Sequence, residues 1–197
     1  MQESGLKVSI LPTLHHKNAG RMLDYIELSK QLETEISFSI FTTRREKMYE
    51  GYTLSNKDLK YISEHFSNYN IDDVPIDNTL EGKKHCGTGC NIISVGTDGS
   101  VYPCHMLMED KFKIGNLTEK GITAILKVNK SQKQCWENDV NDIAECRVCE
   151  FKFLCGGGCR ARAYLVDGSI QSPDPFCSMY KEFYKETFSA MLEKVRR

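Results

Sequence analysis

The chain has 197 residues, of which 40% are hydrophobic and 27% charged, and its formal net charge is -1 at pH 7. The length suits one or two domains of ordinary globular composition. The near-neutral charge gives no electrostatic reason to expect nucleic acid or an anionic membrane surface as a partner. The longest apolar runs are too short to span a bilayer, and the first residues lack the order of a signal peptide. We therefore expect a cytoplasmic protein, in which closely spaced cysteines indicate metal or redox chemistry rather than disulfides.

The first 85 residues contain no cysteine and predict a parallel α/β arrangement. Residues 6–11 predict a short strand closed by Pro12, and residues 36–41 predict a second strand in which apolar side chains alternate with serines. A helical pattern follows each strand, at the spacing of parallel βα units. Two such units leave open sheet edges and little core, so either they add to elements of the second part or, as we expect, they are the end of a larger α/β domain.

Both helices of this first part have predicted starts. Asn18 is expected to cap a helix over residues 19–31, whose apolar side chains recur at helical spacing on one face. Ser55 and Asp58 resemble a capping box, and the apolar side chains that follow as far as Phe66 predict the inner face of the second helix.

Polar side chains follow both predicted strands, at the edge where parallel α/β proteins carry their binding sites. Contact with a cofactor or substrate is one interpretation of these side chains, and ordinary solvated loop positions are the other. The residues are Thr13, His15, His16, Thr42, Thr43, Arg44 and Arg45.

A polar stretch over residues 68–78 reads as a linker, and a different pattern follows it. Asp98-Gly99 between two short β-prone runs predicts a hairpin with Cys104 at the end of its returning strand. This hairpin would bring an opening loop, with Cys86 and Cys90, toward Cys104. Farther along, we expect a turn at 114–117 and three helices. These helices are a short one over 122–127, another over 160–166, and a last one with an apolar stripe formed by Phe176, Tyr180, Phe183, Tyr184, Met191 and Val195.

All nine cysteines lie within residues 86–197, and four of them form the motif C-x2-C-x5-C-x3-C between Cys146 and Cys159. Structural zinc sites usually take their four thiolates from two C-x2-C knuckles, but this chain has only one C-x2-C. A [4Fe-4S] cluster also takes four thiolates, each bound to a separate iron. The longer gaps and the three glycines before Cys159 suit such a cluster, because the backbone can approach inorganic sulfide there. Zinc stays open as an alternative.

The complete cysteine pattern resembles the SPASM domain, the auxiliary-cluster domain at the C-terminal end of many radical SAM enzymes. The match covers residues 86–177 and includes all seven cysteines of the family pattern in order. It consists of Cys86-x12-Gly99-x4-Cys104, then Cys146-x2-Cys149-x5-Cys155-x3-Cys159, then Cys177.

The resemblance implies two [4Fe-4S] clusters whose ligands interleave along the chain. The first cluster would be bound by Cys86, Cys90, Cys104 and Cys159, and the second by Cys146, Cys149, Cys155 and Cys177. Without Cys90, the first cluster would have an open iron site, which in some family members could hold a substrate atom. Cys135 falls outside the pattern and is interpreted as a free or buried cysteine.

The resemblance also implies a domain layout. Residues 1–75 are similar to the last two βα units of a partial radical SAM barrel, 76–85 are a linker, and 86–197 are a small α+β SPASM domain. The barrel motif C-x3-C-x2-C is missing, because Ile93 and Arg162 stand where its third cysteine would be. S-adenosylmethionine and a third [4Fe-4S] cluster are therefore expected only in a longer enzyme.

For that whole enzyme the resemblance implies modification of a peptide or small protein, with auxiliary clusters that transfer electrons or bind the substrate. A flavodoxin or ferredoxin is the expected electron donor. Sulfatase-maturing members have an aspartate after the cysteine of the G-x4-C element, and this chain has His105 there, which favours a maturase of ribosomally made peptides. His105 is a candidate proton acceptor or cluster hydrogen-bond donor. The alternatives are a stand-alone iron–sulfur electron-transfer or peptide-binding module and a structural zinc protein.

Overall fold

A computed structural model of the chain describes residues 5–43, 48–73, 82–89, 92–131 and 139–196. The chain divides into two compact units, Met1–Thr79 with Ser178–Arg197 and Leu80–Cys177. The last helix thus groups with the first unit, whereas the predicted domain 86–197 includes that helix. Among the described helices, none has the length and apolar character that a membrane crossing requires.

The first unit has the predicted α/β order of strand, helix, strand and helix. Strands β1 and β2 pair in parallel with β3 and β4, with Ser9 opposite Glu35 and Thr13 opposite Ser39. The described residues of this unit form no closed barrel. Its elements are β1 Ser9–Ile10, β2 Thr13–Leu14, a 3-10 turn Ala19–Arg21, α1 Met22–Gln31, β3 Glu35–Ile36, β4 Ser39–Ile40 and α2 Asn56–Asp73.

Strand β1 ends at Ile10, before Pro12, as predicted, but parallel pairing resumes after the proline in β2. The Pro12 nitrogen has no hydrogen to donate, which breaks the ladder into two short pieces. The Pro12 carbonyl still accepts a hydrogen bond from the Ser39 amide at 3.0 Å, and the Leu14 carbonyl accepts one from the Phe41 amide at 2.9 Å. Pairing therefore continues beyond the proline.

The two predicted helix starts had different outcomes. Asn18 does not cap the first helix, because its side chain accepts from the His15 amide at 2.8 Å and donates to the Thr13 carbonyl at 3.1 Å. The capping box is confirmed. The Ser55 amide donates to Asp58 Oδ2 at 2.8 Å, and the Asp58 amide donates to Ser55 Oγ at 3.2 Å.

Aromatic side chains link the second and last helices of the first unit. The Phe66 ring of α2 lies 5.8 Å from the ring of Phe38 and 5.8 Å from that of Phe183 in the last helix. The last helix spans Cys177–Val195, and its predicted apolar stripe is buried at Tyr184 but exposed at Val195. The stripe therefore packs the core over most of the helix and ends before its last turn.

The second unit contains a three-stranded antiparallel sheet in the order β5-β6-β7. Strands β5 Ser94–Val95 and β6 Ser100–Tyr102 form the predicted hairpin, which is confirmed. The turn predicted at 114–117 was wrong, because β7 Gly115–Asn116 pairs with β6. Asn116 also fastens the hairpin turn, since its Nδ2 donates to the Asp98 carbonyl at 3.2 Å.

Short helices complete this unit and enclose two small cores. One core contains Cys104, Leu107, Phe112, Ala161 and Tyr164, and the other contains Val140, Ile143 and Cys146. Cysteines therefore border both cores. The helical elements are a 3-10 turn Asp110–Phe112, α3 Ile122–Ser131, a 3-10 turn Val140–Asp142, α4 Ala144–Arg147, α5 Lys152–Cys155 and α6 Arg160–Asp167, before the last helix, α7.

Candidate metal centres

The second unit holds every cysteine that the structure describes, all as thiols and all buried or half-buried. They are Cys86, Cys104, Cys146, Cys149, Cys155, Cys159 and Cys177. The other two cysteines, Cys90 and Cys135, lie outside the described residues. The seven thiols fall into two groups. Within each group, nearby cysteines raise the pKa of one another's thiols.

The first group consists of Cys86, Cys104 and Cys159. The amide of Gly89 in the opening loop donates to the Pro103 carbonyl at 2.9 Å, which holds the loop against the end of β6, directly before Cys104. Burial raises the pKa of the Cys104 thiol, and the nearby thiols of Cys159 and Cys86 raise it further. Burial likewise raises the pKa of Cys159, to which Cys86 also contributes.

Backbone amides already point at two sulfurs of this group. Cys104 Sγ accepts from the Met106 amide at 3.5 Å. Cys159 caps α6, and its Sγ accepts from the Arg162 amide at 3.4 Å. Donors of this kind favour the thiolate form and tune a bound metal centre.

The second group consists of Cys146, Cys149, Cys155 and Cys177. Cys146 and Cys155 lie on the one-turn helices α4 and α5, and the Cys149 amide donates to the Cys146 carbonyl at 3.0 Å. Burial raises the pKa of the Cys155 thiol to about 11, with further contributions from Asp174, Cys177 and Cys146. Burial also raises the pKa of Cys146, to which Cys177 and Cys149 add.

A run of three glycines joins Cys155 of the second group to Cys159 of the first. Gly156, Gly157 and Gly158 all have positive φ, at 62°, 82° and 71°. A Cβ on Gly158 would lie 2.5 Å from Asp174 Oδ2, so a larger residue has no room there. The glycines thus let the chain turn tightly between the two groups.

Asp174 is a buried carboxylate that no sequence motif singles out. It forms a two-pronged ion pair with Arg162, with Nε–Oδ1 and Nη2–Oδ2 distances of 2.8 Å. Its Oδ2 also accepts from the Cys159 amide at 2.6 Å, and its backbone carbonyl accepts from the Cys177 amide at 2.9 Å. Asp174 therefore accepts a backbone hydrogen bond from one cysteine of each group.

The donor set fits iron–sulfur clusters. Both groups offer only thiols, in surroundings where burial opposes a bare thiolate, so a bound cation is needed to hold the sulfurs deprotonated. In the described ranges, no three His, Cys, Asp or Glu side chains are close enough to hold a single metal ion. In a [4Fe-4S] cluster each thiolate binds its own iron, and the sulfurs do not converge on one ion.

His105 is exposed, and its Nδ1 lies 3.8 Å from Cys104 Sγ. The side chain therefore contacts a sulfur of the first group.

The strand-end candidates belong to the first unit, and the described cysteines belong to the second. His16 Nδ1 lies 2.7 Å from Asp58 Oδ2, and the His15 ring packs edge-on against Tyr52 at 4.8 Å. Thr13 is part of β2 rather than of the loop after it. Thr42 and Thr43 follow β4, and Arg44 and Arg45 lie outside the described residues.

Residues 86–150 match the family model of SPASM, an iron-sulfur cluster-binding domain. This segment includes Cys86 and Cys104 of the first group and Cys146 and Cys149 of the second.

Curated proteins are similar to half or more of the chain. A cysteine-type anaerobic sulfatase-maturating enzyme of Clostridium perfringens (strain ATCC 13124) is 27% identical over 183 residues, which cover 81% of this chain and 49% of the relative. The mycofactocin maturase MftC of Mycobacterium ulcerans is 30% identical over 99 residues, which cover 50% of this chain and 26% of the relative. The chain thus spans at most about half the length of these relatives.

Solved structures share its fold. Native anSMEcpe with bound AdoMet superimposes with a TM-score of 0.73 at 20% identity, covering 100% of this chain and 59% of that one. The complex of native anSMEcpe with AdoMet and the Cp18Cys peptide gives a TM-score of 0.71 at 20% identity, covering 99% of this chain and 60% of that one. At this identity the likeness shows the fold alone.

Proposed function

We propose that this chain, which carries a SPASM domain over residues 86–150, is part of a radical SAM/SPASM enzyme that modifies a peptide or small protein. The family match, the curated maturases and the shared fold support this proposal. The parallel βα units at residues 1–75 would be the end of the barrel in which such enzymes bind S-adenosylmethionine and a third cluster. Residues 76–85 would then be a linker and 86–197 the cluster domain.

The first auxiliary cluster would be held by Cys86, Cys90, Cys104 and Cys159. Three of these thiols form the first group, and the loop that holds Cys86 leads directly to Cys90. The second cluster would be held by Cys146, Cys149, Cys155 and Cys177, which form the second group. The crossing of Cys159 to the first cluster is supported by its position beside Cys86, after the glycine run.

The clusters would supply one-electron transfer to or from a substrate radical, or an iron site for substrate binding. The residues of this chain would hold the thiolates, exclude water and direct N–H donors at the sulfurs. The buried side chains of Leu107 and Tyr164 border the first group, and those of Val140 and Ile143 border the second. A cytoplasmic enzyme of this kind would receive electrons from a flavodoxin or ferredoxin.

The grouping of the buried thiols is the single observation that carries the proposal. Anaerobic reconstitution with iron and sulfide should give a brown protein with about eight irons per chain, since each cubane contains four. Replacing Cys159 by Ala should lower the iron content and destabilise the hairpin. Unchanged iron after that substitution would contradict the interleaved ligands. Stoichiometric zinc in place of iron would overturn the cluster proposal and favour the structural zinc alternative.

The substrate is proposed at the level of a peptide or small protein. His105 in place of aspartate favours a maturase of ribosomally made peptides, and among the relatives MftC is named a maturase. Other relatives are sulfatase-maturating enzymes, so both substrate types should be assayed. Formation of 5′-deoxyadenosine by the full-length enzyme, and transfer of deuterium into it from a deuterated peptide substrate, would test this level of the proposal. A chain that holds clusters but acts only as an electron carrier would give neither.

A further inference from the structure

Arg160 is a buried cation whose hydrogen bonds use only part of its side chain. The residue is 1% exposed. Its Nη1 donates to the carbonyls of Ile170 at 2.9 Å and Ser172 at 2.8 Å, and its Nη2 donates to the carbonyl of Gly157. The Nε atom is buried and has no hydrogen-bond partner among the described residues. One N–H of a charged group is therefore available in the interior of the second unit.

Arg162, another buried arginine of this unit, differs from Arg160 because a carboxylate neutralises its charge. Arg162 forms a bidentate ion pair with Asp174 through its Nε and Nη2 atoms. All hydrogen bonds of Arg160 go to neutral carbonyls, and Arg160 forms no ion pair with any described carboxylate. A buried charge without a counter-charge is costly, so this arrangement calls for an anion that the described residues do not supply.

The second group of cysteines lies beside this cation. A Cβ on Gly157 would lie 2.9 Å from Ile143 Cδ1 and 3.7 Å from Arg160 Nη2, and Ile143 packs in the same small core as Cys146. The Gly157 carbonyl, which accepts from Nη2, belongs to the glycine run between Cys155 and Cys159. The three carbonyls fix the orientation of the guanidinium, so its free Nε–H has one defined direction.

We propose that Arg160 is the counter-charge of the second cluster, with its Nε–H donating to the Cys146 thiolate or to a sulfide of that cluster. This role rests on the proposed function, since it requires that Cys146, Cys149, Cys155 and Cys177 bind the cluster. A cluster with four thiolate ligands is anionic, and a buried cation beside it stabilises the more negative, reduced state. Net charge and hydrogen bonds to sulfur are main determinants of cluster potential. Arg160 therefore raises the reduction potential of the second cluster relative to a neutral residue at that position.

The test compares reconstituted wild-type protein with Arg160→Gln and Arg160→Lys. The glutamine variant removes the charge, and the lysine variant keeps it with a different hydrogen-bond pattern. Arg147→Gln is a matched control, because Arg147 is adjacent to Cys146 in sequence but exposed. Iron and sulfide are quantified first, and the midpoint potential of each cluster is then measured by electron paramagnetic resonance in a redox titration.

We expect Arg160→Gln to lower one midpoint potential so that the reduced-to-oxidised ratio at fixed potential falls at least tenfold, which is about 59 mV for a one-electron couple. Arg160→Lys should keep a potential near that of wild type, and Arg147→Gln should leave both potentials unchanged.

If Arg160→Gln loses iron, retention of iron by Arg160→Lys supports the charge role. Loss of iron in both variants contradicts it, because the carbonyl contacts alone would then be essential. Two unchanged potentials in fully loaded Arg160→Gln would also overturn it. If wild-type protein itself binds no cluster, the proposed function fails before this comparison begins.

Discussion

Arg162 and Asp174 form a two-pronged ion pair in the interior of the second unit, with side-chain exposures of 7% and 2%. The same carboxylate accepts hydrogen bonds from the amides of Cys159 and Phe176, at 2.6 and 2.8 Å. The pair therefore fixes the chain near both groups of cysteines. Its importance lies in the positions that it fixes rather than in net energy, because a buried ion pair by itself adds little net stability.

Replacing Asp174 by Asn should destabilise the protein strongly. The change leaves the Arg162 guanidinium buried without a counter-charge, and breaking such a pair costs about 3–5 kcal/mol. Urea denaturation of the apoprotein, followed by circular dichroism, would measure the change in the free energy of unfolding. Asp110→Asn, at an exposed aspartate of the same unit, is the control and should change stability by less than about 0.5 kcal/mol. Equal effects of the two substitutions would contradict the role assigned to the pair.

Gly158→Ala should be more harmful than Gly168→Ala, although the two glycines share a similar backbone conformation. Their φ angles are 71° and 75°, so alanine carries a similar penalty of about 1–2 kcal/mol at each. A Cβ at Gly158 would also lie 2.5 Å from Asp174 Oδ2, whereas a Cβ at Gly168 meets nothing within 4 Å. Thermal unfolding of both variants would separate the two effects. A similar loss in both would show that the contact with Asp174 relaxes without cost.

The carboxylate of Asp58 should make the stability of the first unit depend on pH. Partial burial acts to raise the pKa of Asp58, but hydrogen bonds from His16 and Ser55 outweigh it and hold the pKa below its usual value. A carboxyl group with a lowered pKa in the folded state stabilises the protein above its unfolded pKa, about 3.9. This stabilisation is lost as the pH falls through the lowered folded pKa.

Asp58→Asn should therefore cost about 0.3–1 kcal/mol near neutral pH, the typical value of a carboxylate at a helix start. The difference from wild type should disappear in strongly acidic buffer, where both side chains are uncharged. Helix circular dichroism during denaturation at several pH values would measure it. A difference that stays constant with pH would mean that the carboxylate contributes through its shape rather than its charge.

His105→Ala should leave the iron content of reconstituted protein unchanged but alter the proposed first cluster. His105 contacts Cys104 Sγ at 3.8 Å from an exposed position, so it affects that sulfur without supporting the core. Electron paramagnetic resonance of the reduced protein should show changed signals for one cluster only. His65→Ala, in the first unit, is the control and should leave both spectra as they are. Changes in both clusters would indicate a general loosening instead.

Local signals in the sequence predicted the elements that local interactions form. The capping box at Ser55 and Asp58 and the turn at Asp98-Gly99 each involve residues a few positions apart, and both were confirmed. The helix at Arg160–Asp167 was also predicted, from 160 to 166. In each case the residues whose interactions determine the element lie within a few positions of one another in the sequence.

Competition between alternative local contacts, and interactions across the chain, were not predictable in this way. Asn18 has the chemistry of a helix cap, but the preceding loop takes up its side chain. Residues 115–116 form a strand because β6 lies beside them, and nothing in their own composition indicates it. The pairing of Arg162 with Asp174 depends on how the chain folds back after α6. No periodic pattern in the sequence indicates this contact.

The glycine run between Cys155 and Cys159 has a consequence for how iron would be loaded. Glycines have the largest conformational freedom in an unfolded chain, so ordering three of them in succession is costly in entropy. Formation of the first cluster would include the entropy cost of ordering this glycine run. The second cluster would then form on a glycine loop that is already ordered. Loading should then be cooperative. Protein supplied with too little iron should consist mainly of empty and fully loaded molecules, with few half-loaded ones, and native mass spectrometry would count them.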